Sequence, residues 1–159
     1  MPAKQLSLSD WDGAPGWNRQ GELVVNEGSG IMLAPIRASG RSVTFTAHVR
    51  PGKAVRWVTQ FRDASNYTLY ELGGDGLNRS DVVSGKRIQR NRVPLSGAAA
   101  EPVRVRMNLQ AGVLRTSPFF AGQWVDLDTV DAVNGTGRFG FYLAERSRLA
   151  LSAFRYEYR

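Results

Sequence analysis

The chain has no cysteine and a single histidine, His48. Without cysteine it has no disulfide framework, no thiolate zinc site, no iron–sulfur cluster and no cysteine nucleophile. One histidine excludes a multi-histidine metal site. Long apolar runs are missing too, so no segment reads as a membrane-spanning helix. The opening Met1-Pro2-Ala3-Lys4-Gln5-Leu6 lacks the apolar stretch of a signal peptide. The expectation is therefore either a cytoplasmic protein or a module excised from a larger, exported multidomain protein. Lysine is scarce: of 21 basic residues only 3 are lysine and 18 are arginine, and the net charge is +7. Helical periodicity is almost absent.

What remains is alternation. In Arg41–Arg50, Val43, Phe45, Ala47 and Val49 lie on one face, and Ser42, Thr44, Thr46 and His48 on the other. That is the pattern of a half-buried strand. The same pattern recurs in Val55–Arg62, Asn66–Leu72, Leu77–Val83, Lys86–Val93, Val103–Leu109, Val113–Ser117, Trp124–Val130, Arg138–Leu143 and Arg148–Tyr158. Two short strands, Glu22–Asn26 and Ile31–Ile36, are expected around Glu27-Gly28-Ser29-Gly30. Glycine, asparagine, aspartate and proline separate the segments, as turns require. Ten to twelve strands in 159 residues predict one all-β sandwich or barrel domain spanning 1–159, its core about 10–158. Pro94–Pro102, a loop of mostly small residues, is the expected crossover between sheets.

Several motifs fall in a familiar order. Phe61-Arg62-Asp63-Ala64-Ser65-Asn66-Tyr67 resembles the "R-F-x-D-x-x-N-Y-Y" segment of laminin-G-like modules in the concanavalin A-like lectin/glucanase superfamily. Val82-Val83-Ser84-Gly85-Lys86 is similar to the "V-x-G-K" turn that follows in those modules, and Gly137-Arg138-Phe139-Gly140-Phe141 to their closing "G-x-x-G-F". Upstream, Trp17 and Gly21–Gly28 resemble their opening strand. The resemblance implies a jelly-roll sandwich of two antiparallel sheets, one of them curved. It also implies a ligand, commonly a carbohydrate, met by the concave sheet or the loops at its rim. Aromatic faces and planar polar groups suit sugars.

Catalysis finds little support in the residues. Retaining glucanases of the superfamily carry a Glu-x-Asp-x-x-Glu or Glu-x-Asp-x-Glu motif, with carboxyl groups about 5–5.5 Å apart. The nearest match, Asp126-Leu127-Asp128, has no glutamate. A strand there places both aspartates on one face, solvated, with Val125 and Leu127 inward. A glycoside-processing enzyme using Asp126 and Asp128 stands as the alternative reading. His48, with no serine or aspartate motif beside it, reads as a hydrogen-bonded structural residue. Calcium, weighed on Asp10, Asp12, Asp126, Asp128 and Asp131, is not favoured, and no cofactor is expected.

Arginine carries the rest. Arg90 and Arg92 share a face by alternation, with Arg87 opposite; Gln60 and Arg62 occupy the polar side of their strand, Tyr70 that of the next. Guanidinium groups grip carboxylate, sulfate and phosphate in two-point contacts. The expected ligand residues are Gln60, Arg62, Tyr70, Arg79 and Arg90, with Trp124 as a stacking platform. The expected partner is a carbohydrate or acidic glycan. Nucleic acid ranks lower, because the charge is spread over most strands and no nucleic-acid motif occurs. Trp57, Phe45, Phe139 and Phe141 are assigned to the core. The leading reading is a non-catalytic carbohydrate-binding module of bacterial type; a structural or protein-interaction domain is the remaining alternative.

Overall fold

A computed structural model describes residues 4–7, 18–21, 23–34, 40–49, 53–97 and 102–158. Among them are thirteen strands and no helix. They are β1 (Lys4–Ser7), β2 (Asn18–Gln20), β3 (Leu23–Leu33), β4 (Gly40–His48), β5 (Val55–Asp63), β6 (Asn66–Gly73) and β7 (Gly76–Val83). There follow β8 (Lys86–Pro94), β9 (Val103–Gln110), β10 (Val113–Phe120), β11 (Gln123–Trp124), β12 (Asp128–Asp131) and β13 (Gly140–Tyr158). Every pairing is antiparallel.

The strands form the two antiparallel sheets of a jelly-roll sandwich. One runs β13-β5-β6-β7-β8; the other runs β13-β4-β9-β10-β11. β13 serves both. Its 19 residues extend about 60 Å, longer than the roughly 40 Å a globule of this size measures across. The strand accommodates this by changing register between Leu143 and Ser147. Its first residues pair β5, and its last nine pair β4. The chain crosses from the first sheet to the second between Pro94 and Val103, where the loop of small residues was expected.

Alternation decides what meets in the middle. Val55, Trp57, Tyr70, Leu72 and Leu77 from the first sheet join Val43, Phe45, Val105, Met107, Leu114, Phe154 and Tyr156 from the second. Phe45, Phe139 and Phe141 are fully buried with them, as assigned. Aromatic edges interlock: Phe45 meets Phe141 at 5.1 Å and 85°, and Phe139 meets Phe141 at 5.3 Å and 89°. Such perpendicular contacts set positive ring edges on negative faces.

Three strand boundaries differ from the sequence reading. Residues 23–33 are one strand, because Gly30 (φ 102°) is absorbed as an irregularity opposite β13 instead of making a turn. The two closing strands are fused into β13. The expected Trp124–Val130 strand is broken at residues 125–127, whose backbone reaches β10 through Val125 N–H to Pro118 O and Leu127 N–H to Thr116 O.

The loop after β12 is tied down by one small network. Thr136, buried, accepts from the Gly40 amide at 2.9 Å, while its own amide donates to Gly40 O at 2.8 Å. The Tyr156 hydroxyl lies 3.2 Å from both Thr136 Oγ1 and Gly137 O. A side chain at residue 40 would overlap the Tyr156 ring and the Thr136 hydroxyl. Gly40→Ala is therefore expected to lower stability by about 1–3 kcal/mol, the usual cost of overpacking. A urea titration of both proteins checks this; an unchanged midpoint would show that the ring moves aside freely.

Candidate ligand-binding cleft

The turn from β5 into β6 is built by side chains. Asp63 accepts from Ser65 N–H at 2.8 Å and from Asn66 Nδ2 at 2.9 Å. The Asn66 amide and the Asp63 backbone are thereby fixed, and these bonds hold the Asp63 carboxyl below its ordinary range. Asn66 Oδ1 in turn accepts from Ser84 N–H, joining this turn to the next.

Beside these turns the ends of β5, β6 and β7 frame a hollow of about 560 Å³. Gln60, Phe61, Arg62, Asn66, Tyr67 and Arg138 are in its lining. A second hollow, about 310 Å³, adjoins it where the sheets part, bounded by Thr59, Tyr70, Arg79, Leu114 and residues 130–134. Gln60, Thr68 and Asp81 line both.

Gln60 organises the junction. Its φ is 52°, and β5 changes register between Thr59 and Asp63, so strand alternation ends there. Its amide donates to Thr136 O at 2.7 Å and its Nε2 to Gly135 O at 2.5 Å. Gly137 (φ 60°) lies so close that a Cβ would fall 2.7 Å from Gln60 Oε1. Only glycine combines that conformation with that approach.

The chemistry offered is cationic, aromatic and hydrogen-bonding. Phe61 and Tyr67 are stacked at 6.0 Å, and the Arg138 guanidinium lies 5.9 Å from the Phe61 centroid. Arg138 Nε is buried without a hydrogen-bond partner among the described residues. Arg62 is exposed and forms no ion pair with any described residue. Asp81 accepts from Thr68 Oγ1 at 3.1 Å and from Arg90 Nε at 2.9 Å. Burial pushes the Tyr67 hydroxyl above its ordinary pKa, so it remains a neutral donor.

The expected ligand residues divide. Gln60 and Arg62 line the larger hollow, and Gln60, Tyr70 and Arg79 the smaller. Tyr70 is not on a polar face: it points inward, fully buried, stacked on Trp57 at 5.4 Å. Burial first, then the charge of Asp128, drives its hydroxyl pKa strongly upward. Arg90 does not share a face with Arg92. A bulge sets Asn91 opposite Arg79 but Gln89 opposite Ser80, leaving Arg90 out of the alternation and against Asp81. Arg92 and Arg87 then share the outer face, Arg87 pairing with Glu71. Trp124 lies apart, on the second sheet, against Phe119, Arg104 and Arg106. Tyr67, Asn66 and Arg138 line the larger hollow too; each stands inside a quoted motif but was not singled out from the sequence.

Asp126 and Asp128 are not a pair. Asp128 is opposite Thr116 on the inner face, buried, accepting from Arg79 and Asn91. Asp126 bonds Ser117 on the outer face. Both aspartates were expected solvated on one face; the break at 125–127 separates them. His48 bonds Ser152 at 2.9 Å. No group of three His, Cys, Asp or Glu is placed to hold a metal among the described residues, and Asp10 and Asp12 lie outside them.

Comparison of the sequence with protein-family models and with curated proteins gives no match. Solved structures do match. A xylan β-1,4-xylosidase from Bacillus halodurans superposes with TM-score 0.62 at 14% identity, over 92% of this chain and 34% of that one. This chain thus spans about a third of that protein. The carbohydrate-binding module CBM66 from Bacillus subtilis gives 0.58 at 11% identity, over 99% and 94%. A Bacillus licheniformis β-glucanase gives 0.59 at 10% identity, over 91% and 83%. The fold they share is the concanavalin A-like jelly roll.

Proposed function

We propose that this concanavalin A-like jelly roll is a non-catalytic module that binds carbohydrate in the cleft at the ends of β5, β6 and β7, with a preference for sugars bearing an acidic group. The observation that carries the reading is the exposed Arg62 guanidinium, in no ion pair with any described residue, beside the stacked Phe61 and Tyr67 rings in a hollow of about 560 Å³. That volume admits one or two sugar rings. Arg62 supplies a planar fork for a carboxylate or sulfate. Asn66, Thr68 and Arg138 add donors. Gln60, Tyr70 and Arg79 form the floor, and Arg90 acts through Asp81. The likeness to a carbohydrate-binding module along nearly its whole length agrees with this reading. The separation of Asp126 from Asp128 supports its non-catalytic part.

Isothermal titration with neutral and carboxylated oligosaccharides tests it. The carboxylated set is expected to bind more tightly, and Arg62→Ala to weaken that binding by about tenfold, the loss of one charge-assisted contact. Neutral ligands should be less affected. Equal affinity of Arg62→Ala and the wild type, absence of binding by either set, or turnover of the oligosaccharides would overturn the reading.

A further inference from the structure

The outer face of the second sheet carries a cluster that the cleft does not use. β4 presents Thr44 and Thr46 there, opposite Arg106 and Arg104 of β9. Ser117 of β10 is opposite Arg106, and Phe119 is opposite Trp124. The Arg104 guanidinium lies 4.6 Å from the Phe119 centroid and 5.4 Å from that of Trp124; Arg106 lies 4.6 Å from Trp124. Neither arginine forms an ion pair with any described residue. Asp126, beside the cluster, is engaged by Ser117 and faces Arg115 at 4.0 Å.

We propose that Arg104 and Arg106, braced on Phe119 and Trp124, form an anion-binding site that takes the carboxylate or sulfate groups of an acidic polysaccharide. Stacking uses the face of a guanidinium and leaves its N–H edge free to donate. The rings fix the orientation of both groups beforehand, so little side-chain freedom is lost on binding. Two residues apart on one strand, the arginines are on the same face about 6–7 Å apart. Like charges held that close repel, and an anion between them relieves it. Thr44 and Thr46 keep the neighbouring positions small and free of carboxylate. The aromatic faces are already covered by guanidinium, which leaves them poor platforms for nucleic-acid bases. An extended sulfated or uronate chain needs only the cationic donors. The site stands independently of the cleft.

Affinity electrophoresis in gels containing polygalacturonate, dextran sulfate, neutral dextran or oligo(dT) tests this. Arg104→Gln/Arg106→Gln is expected to weaken retention by both acidic polysaccharides at least about tenfold. Arg87→Gln/Arg92→Gln, the same charge change on the first sheet, should alter it less than about twofold. Arg104→Lys/Arg106→Lys, keeping charge but losing the planar fork, should resemble the Gln pair. The Gln pair should weaken retention in an Arg62→Ala background as it does in the wild type, which separates the site from the cleft. Equal losses in the two Gln pairs, full retention by the Lys pair, no retention of the wild type, or tighter retention by oligo(dT) would each overturn the proposal.

Discussion

Asp128→Ala is expected to destabilise the protein by about 3–5 kcal/mol, the cost of leaving a buried charge without its partner. The Asp128 side chain is wholly buried, and that of Arg79 is only 13% exposed. Arg79 Nε donates to both carboxylate oxygens, at 3.0 and 3.1 Å, and Asn91 Nδ2 donates at 2.7 Å. The three residues belong to β12, β7 and β8, so the contact ties one sheet to the other through polar groups. Removing the carboxylate strands a guanidinium and an amide in the interior. The pair itself is a poor source of stability, because both ions were desolvated to form it. Arg79→Met/Asp128→Leu should consequently lie within about 1–2 kcal/mol of the wild type. Urea denaturation of the three proteins decides the matter. A loss below about 1 kcal/mol in Asp128→Ala would mean that water or a relaxed Arg79 takes over the vacated contacts.

That same aspartate marks where reading the sequence stops. Strands of clean alternation, such as Val43–Val49 or Val103–Leu109, announce both their extent and their buried face. They do so because one face must leave water and the period is two. The fold class followed from such segments and from the order of the turn motifs. Faces were misassigned wherever alternation is interrupted by a device with no compositional mark. The bulge between Arg79 and Ser80 displaced Arg90; the positive φ of Gln60 turned the end of β5 into a corner; the break at 125–127 sent Asp126 and Asp128 to opposite sides. Each of the three lies at or near the cleft or its supporting salt bridge. The cleft was legible in part: Arg62 and Gln60 were singled out as residues on the polar side of their strand. Arg138 and the wall at 131–134 were not, because they arrive from the far end of the chain through the Gly40–Thr136 contact. No local pattern signals a contact between residues 96 positions apart. Trp124 was put with the ligand residues as a stacking platform; its register with Phe119 assigns it to the other sheet.

Trp57→Ala should cost a comparable amount, about 3–5 kcal/mol, for an apolar reason. Trp57 is fully buried at the centre of the sandwich. It stacks on Tyr70 at 5.4 Å with 2° between planes, meets the edge of Phe45 at 5.3 Å, and donates Nε1–H to Met107 Sδ at 3.2 Å. Each neighbour comes from a different strand: Tyr70 from its own sheet, Phe45 and Met107 from the facing one. Close-packed surroundings of this kind collapse only partly into a void, so the cavity adds to the lost transfer energy. The effect should reach the cleft. Tyr70 is held between Trp57 and the hollow bounded by Thr59 and Arg79, and without the indole its ring gains room to tilt. Trp57→Phe keeps an aromatic partner and should cost only about 1–3 kcal/mol. Thermal melts give the stability difference, and titration of the folded Trp57→Phe protein with carboxylated oligosaccharide gives the rest. If Trp57→Phe loses stability but binds unchanged, the Trp57–Tyr70 stack serves the core alone and the cleft floor is held by Gln60 and its loop. If binding weakens along with stability, the stack is what keeps Tyr70 at the base of the site.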